Sequence, residues 1–236
     1  FSCALDFNAG TWNKSGIAGY AQIWNESAAS YKVLRTEQNI PTMNGFMVYT
    51  SSNSGSLTIP ADARIHSDTN WYKASEDENM IVLLAVDNQT NTSQETIINF
   101  DPEATNYFDL EHDSYYIAGF APMFYSIQHG SYYALNCLPE LKEDMSIPLG
   151  FVKNSSTEFA IYLSEANSEY DIWLLDKKLN KDHNLTQNST YYFTAFENDY
   201  HERFVVHFSP VGIEEPTILI QLMQIWGSNN TIHIFN

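Results

Sequence analysis

The stretch from Ile161 to Phe208 constrains the chain most. It reads IYLSEANSEYDIWLLDKKLNKDHNLTQNSTYYFTAFENDYHERFVVHF. Apolar alternation starts, stops at a polar turn and starts again, several times over. Successive side chains of a strand point to opposite faces, so each run reads as a half-buried β-strand. The chain's 15 Tyr, 14 Phe and 5 Trp supply the rings that suit a pleated, half-buried surface. Asn, Ser and Thr fill the breaks, where their side chains hydrogen-bond the backbone. A long helix is hard to place; Ala104–Leu110 offers one turn at most.

The same pattern runs through the rest of the chain. Short strands are expected at GYAQIW, YKVL and GFMVYT, and at Leu57–Ile59 after a polar turn over Ser51–Ser56 that fits a hairpin connection. WYKAS, MIVLLAVD, TIINF, SYYIAGF, PMFYSIQ and YYALNCL follow, then GFVKN, TEFAIYL, YDIWLL, TYYFTAF and RFVVHF. Regularly spaced short strands predict an all-β fold, with β-sandwich or jelly-roll modules in tandem. The division expected is a partial sandwich-like unit over 1–66, a sandwich over 67–209, and a linker with two more short strands over 210–236.

Charge narrows the partners. With 11 Lys+Arg against 29 Asp+Glu the formal net charge is −18. Phosphate backbones and anionic membrane surfaces need clustered cations, so neither is an expected partner. No segment approaches the ~20 apolar residues of a membrane-spanning helix. Phe1 opens no signal peptide, and the chain reads as a mature or trimmed fragment. Cys3 and Cys137 make no metal or redox motif. Two buried free thiols are expected, with a bridge formed outside the cell as the alternative. Eight Asn-x-Ser/Thr triplets occur, at Asn13, Asn25, Asn88, Asn91, Asn154, Asn184, Asn188 and Asn229. They are glycan sites in a eukaryotic secreted protein, or simple turn chemistry.

Several strings resemble a known family. SCALDFNAGTWN, QIWNESAASYKV, IPTMNGFMVYTSS, FDPEATNYFDLEHDS and NLTQNSTYYFTAFENDYHERFVVHF are similar to the carboxyl-terminal region of surface and secreted proteins of Bacteroidota exported by the type IX secretion system. VGIEEPTILIQLMQIWGSNNTIHIFN resembles the opening of a type A C-terminal sorting domain, which here stops at Asn236. The resemblance implies an extracellular or cell-surface location and the secretion machinery as a partner, with other surface proteins or glycans beyond it. It implies no fixed activity.

The chemistry-bearing residues are sparse. No nucleophile elbow, HExxH, P-loop or GxGxxG occurs. YHERFVVHF brings His201, Glu202 and His207 together in sequence. On a strand, Phe204, Val206 and Phe208 face inward, leaving His201, Arg203 and His207 outside. His66, His112, His129 and His183 fall at turns or strand ends. The acidic loop Asp101–Asp113 is the ion candidate: Asp101, Asp109 and Asp113 are the expected ligands of a Ca²⁺, which takes six to eight oxygens. Trp12, Trp24 and Trp71 form either a glycan platform or core. Glu158 and Glu165 do not stand out among the acids as a hydrolytic pair. The expectation is a non-catalytic extracellular module in an adhesion, filament or spacer role, with no deep cleft lined by two or more titratable side chains. The alternative is a carbohydrate-binding module appended to a secreted enzyme.

Overall fold

A computed structural model describes residues 2–9, 11–35, 38–66 and 80–210, with the backbone of 224–228 and 231–235. The predicted strand WYKAS lies outside the described residues. The strands in chain order are β1 (Ala4–Leu5), β2 (Asn13–Ser15), β3 (Ile17–Asn25), β4 (Ser30–Val33), β5 (Phe46–Thr50), β6 (Ser56–Thr58) and β7 (Arg64–Ile65). Then come β8 (Ile81–Asp87), β9 (Ser93–Phe100), β10 (Ser114–Tyr115), β11 (Met123–Gln128), β12 (Ser131–Leu138), β13 (Ser146–Val152) and β14 (Glu158–Ala166). The last are β15 (Tyr170–Asp176), β16 (Lys181–Asn184), β17 (Thr190–Thr194), β18 (Phe204–Pro210), β19 (Gln224–Ser228) and β20 (Thr231–Phe235). One 3-10 turn, Ala61–Ala63, is the helical content among the described residues. The fold is all-β.

One large sheet dominates. Its path is β16-β15-β18-β13-β11-β12-β9-β8-β14-β17, with β10 joining β12. Each pair is antiparallel except β9 and β12, which run parallel. The alternation explains which face is inside. Phe204, Val206 and Phe208 of β18 are buried, as are Phe159 and Ile161 of β14. The sheet rolls until strands far apart on the path meet across this core. Phe151 of β13 lies 5.0 Å from Phe159 of β14, and Phe193 of β17 lies 4.9 Å from Phe204 of β18. The topology is therefore one rolled sheet with smaller sheets beside it. Pro148 fits inside β13 because the β11 pairing begins only at Leu149, so the proline has a neighbouring strand on the β18 side alone.

The path ends at β16 and β17, and side chains from β15, β17 and the loop before β18 link the two ends of the sheet across a seam. Asp176, fully buried at the end of β15, accepts from Arg203 Nε at 2.9 Å and Nη2 at 2.6 Å. Tyr191 Oη of β17 donates to the same carboxylate at 3.0 Å. Arg203 Nη1 donates to the Thr194 carbonyl of β17 at 2.7 Å. The guanidinium also lies over Phe193 and Phe204, at 4.9 and 5.0 Å. Burial opposes the Asp176 charge, but Arg203 and Tyr191 hold its pKa below the usual carboxylate range. Arg203 thus corrects the outward placement expected from strand alternation. It precedes β18 in a loop, where the period of two does not apply, and turns inward to the buried carboxylate. A second buried acid, Asp87, accepts from Gln89 N, Thr90 N, Thr90 Oγ1, Asn154 Nδ2 and Ser156 Oγ. It ties the β8–β9 turn to the loop after β13.

The first strands make a smaller core from Leu5, Phe7, Trp12, Ile23 and Ile40. They are not isolated from the large sheet. Val33 packs with Val82, Ile97, Leu135 and Cys137 on that sheet's outer face. Ser93 N donates to Ala28 O at 2.9 Å, and Gln22 Nε2 to Ser114 Oγ at 2.8 Å. The expected hairpin between β5 and β6 does not form. β5 pairs with β3 and β6 with β2. Gly16, at φ 67°, kinks the chain between β2 and β3, and Ser51–Gly55 makes a matching excursion opposite it. β19 and β20 pair antiparallel, as two short strands are expected there.

Removing one partner of the seam pair leaves a buried charge uncompensated. Arg203→Met is expected to lower unfolding free energy by about 3–5 kcal/mol. Tyr191→Phe should cost about 1.5–3 kcal/mol, the net worth of one hydrogen bond to a charged group. Urea titration of each variant checks both; an Arg203→Met cost below that of Tyr191→Phe would show that the seam does not depend on the pair.

Candidate functional site

The acidic loop uses its carboxylates on its own backbone. Asp101 accepts from Glu103 N at 2.9 Å, and its other oxygen lies 3.8 Å from His112 Nδ1. Asp109 accepts from Thr105 N. Asp113 is buried and accepts from Asp109 N and Cys137 N, both at 2.7 Å, which moors the loop to β12. Among the described residues no group of three or more His, Cys, Asp or Glu stands in a metal-binding arrangement. Burial pushes the Asp113 pKa up to about 6, against the two N–H groups that favour the carboxylate. Cys137 is buried and Cys3 half-buried, and both are free thiols.

A charged cleft lies where the first strands leave the outer face of the large sheet. It encloses about 580 Å³ between the β3–β4 turn and strands β8, β9 and β14. Lys32, Arg35, Glu95 and Glu165 line it, with Asn and Ser side chains around them. Four titratable side chains thus share one open cleft, where the sequence leads one to expect no deep cleft lined by two or more. These four residues come from three separate segments, each of which looks like an ordinary solvated strand face in sequence. Arg35 grips Glu165 with both arms, Nη1 to Oε2 at 2.6 Å and Nη2 to Oε1 at 3.0 Å. Those bonds hold Glu165 below its usual pKa. Burial drives Glu95 the other way, with Lys32 and Arg35 pulling it back. Glu95 Oε1 is enclosed and accepts no hydrogen bond. Glu158, by contrast, is exposed at the start of β14.

A smaller pocket, about 270 Å³, sits at the seam end of the rolled sheet. The β15–β16 turn supplies Lys177 and Lys178. The loop before β18 supplies Asn198, Asp199, Tyr200, Glu202 and Arg203. Asp199 anchors that loop. It takes Lys178 Nζ at 2.7 and 2.8 Å, Phe196 N at 3.1 Å and Arg203 Nη1 at 3.4 Å. The rings beside the pocket are open to solvent: Phe196 is 58% and Tyr200 66% exposed. Lys178 Nζ lies 4.9 Å from the Phe196 ring centre and Lys177 Nζ 5.9 Å from that of Tyr200.

An aromatic row continues from there. His201 lies 5.1 Å from Tyr200 and 6.3 Å from Tyr132, which stacks on Tyr125 at 4.4 Å. Gly150 makes room for that row, since any Cβ there would overlap the Tyr125 ring. Of the tryptophans, Trp12 is the one the structure assigns to the core. Trp12 is buried with Phe7 and Phe46, Trp24 is half-buried, and Trp71 lies outside the described residues. His201 and Glu202 approach to 3.8 Å, while His207 sits apart, against Asp182 Oδ1 at 2.9 Å. His183 lies within β16, with Nε2 2.8 Å from the Asn188 carbonyl. No helix among the described residues is long and apolar enough to cross a membrane.

These features define a class: an all-β protein built on one rolled sheet, with a charged cleft on its outer face and an aromatic-edged pocket at one end. The chain belongs to the family described as Domain of unknown function (DUF8693), whose model matches residues 7–208. No curated protein and no solved structure matches it.

Two of the perturbed aspartates, Asp113 and Asp87, bend stability in opposite directions with pH. Asp113 is raised, so its contribution is full below about pH 4 and lost as pH rises through about 6. Asp87 is lowered: burial pushes it up, but its hydrogen bonds outweigh that and hold it at about 2. Its contribution is present above about pH 4 and lost as pH falls towards 2. Carboxyl NMR is expected to show an Asp113 midpoint near 6 and Asp87 still charged at pH 3. An Asp113 midpoint at the ordinary aspartate value would contradict its dry environment.

Proposed function

We propose that this chain is a non-catalytic extracellular surface module that acts by binding rather than turnover. The observation that carries the reading is that the converging charged groups are already spent on one another. Glu165 is locked on Arg35, Asp176 on Arg203 and Asp199 on Lys178. Each pair joins segments remote in sequence, so each holds the fold. Glycoside hydrolysis takes two carboxyl groups in separate roles, and in the charged cleft Glu95 alone keeps an oxygen uncommitted. Acyl transfer takes a nucleophile within hydrogen-bond reach of a base, and His201 and Glu202 at 3.8 Å are no such pair. The sequence resemblance to type IX secretion cargo supports a surface location and an adhesion or spacer role, with the secretion machinery as a partner.

A carbohydrate-binding module is the second reading. It is favoured by the exposed Phe196 and Tyr200 at the mouth of a pocket, since exposed rings on a rigid sheet offer apolar faces to sugars.

The purified chain is expected to show no hydrolysis of polysaccharide or peptide panels. Turnover that vanishes on Glu95→Gln would make the cleft an active site instead. For the location, a full-length protein cut after Pro210 should accumulate in the periplasm. Normal surface display of that truncation would remove the export reading.

A further inference from the structure

We infer that the pocket beside Tyr200 binds the end of a neutral saccharide, with the Tyr200 ring stacked on a sugar face and Lys177, Asn198 and Glu202 bonded to its hydroxyls. The inference rests on the carbohydrate-binding reading and adds the place and the ligand class.

The polar groups come first. Lys178 and Arg203 line the pocket but are committed to Asp199 and Asp176. Among the described residues Lys177 pairs with no carboxylate; its ammonium rests near the Tyr200 ring. The Asn198 side chain is exposed. Glu202 has only His201 in ion-pair range, at 3.8 Å. What remains for a ligand is an ammonium that donates, a carboxylate that accepts, and an amide that does both. A hydroxyl also both donates and accepts, so adjacent hydroxyls of one sugar match such a mixed set.

Charge selects within the hydroxylated ligands. An acidic sugar meets Glu202 and the field of a chain with net charge −18. An amino sugar carrying a cation meets Lys177, the ammonium of the pocket that no described carboxylate pairs. A neutral sugar meets neither penalty. Size points the same way. At about 270 Å³ the pocket lies at or below the small end of ligand pockets, roughly 300–1,000 Å³. That suits one terminal unit, with further units crossing the exposed Phe196 ring. The walls are preorganised, because Asp199 fixes the loop through four bonds to Lys178, Phe196 and Arg203. Rigid walls reduce the ordering cost of binding.

The test is calorimetric titration of the full chain with short neutral xylo- and manno-oligosaccharides, and in parallel with uronate and amino-sugar oligomers. Tyr200 and Lys177 are both exposed, so Tyr200→Ala and Lys177→Ala should keep the wild-type melting temperature. Neutral binding is expected, reduced at least about tenfold by either substitution and retained in Tyr200→Phe. Such a loss is the scale of one good contact, about 1.4 kcal/mol. Neutral binding that neither substitution changes would overturn this site while leaving a carbohydrate-binding module in place. Binding of uronates alone, lost in Lys177→Ala, would overturn the ligand class. No binding to any of the oligosaccharides would overturn the inference and the carbohydrate reading together.

Discussion

The rolled sheet depends on one buried ion pair. A sheet that curls without closing its ladder leaves two strands facing each other with no backbone bonds between them. Here the end strands are β16 and β17, and Arg203, held by Asp176 at the end of β15, reaches across to the Thr194 carbonyl of β17. The pair is dry, so its geometry has to be good: desolvating two charges costs several kcal/mol each, and only close, multiple hydrogen bonds offset that. Asp176 has Arg203 on both oxygens and Tyr191 on one of them. Arg203 spreads its remaining surface over Phe193 and Phe204, which are themselves part of the core. The seam is therefore continuous with the hydrophobic interior.

That arrangement also places the pocket. The loop carrying Arg203 must come inward at the seam, and the residues just before it, Asn198 to Glu202, are held at the rim. Asp199 then links this loop to Lys178 on the β15–β16 turn. The exposed ring of Tyr200 follows from the same constraint, since it lies between Asp199 and Arg203, both of which are pinned, and Phe196 is held beside it through its N–H to Asp199. The proposed binding surface is in this sense a by-product of closing the sheet with side chains.

The charged cleft shows the same economy on the outer face. Arg35, from the segment after β4, reaches Glu165 on β14 and helps to hold the first strands against the large sheet. Glu95 on β9 is left beside them with a raised pKa. The cleft is a place where two β layers part, and its charges are those needed to keep them together.

Alternation along 161–208, with short apolar runs such as MIVLLAVD between polar turns, was enough to establish an all-β chain and to assign Phe204, Val206 and Phe208 to the core. A period of two is a local property, so it is legible in one sequence. The polar turns and the histidines outside the core were legible for the same reason. What the acids of Asp101–Asp113 do was not, because a loop carboxylate serves a backbone N–H or a ligand equally well until the chain path is known. Nor was the pairing of β5 with β3 and β6 with β2, the parallel β9–β12 pairing, the inward turn of Arg203, or the meeting of Lys177 with Tyr200. Each depends on segments remote in sequence. Which strands become neighbours is decided by how the whole sheet buries its apolar face, and a buried carboxylate chooses its partner only once that burial has removed water from it.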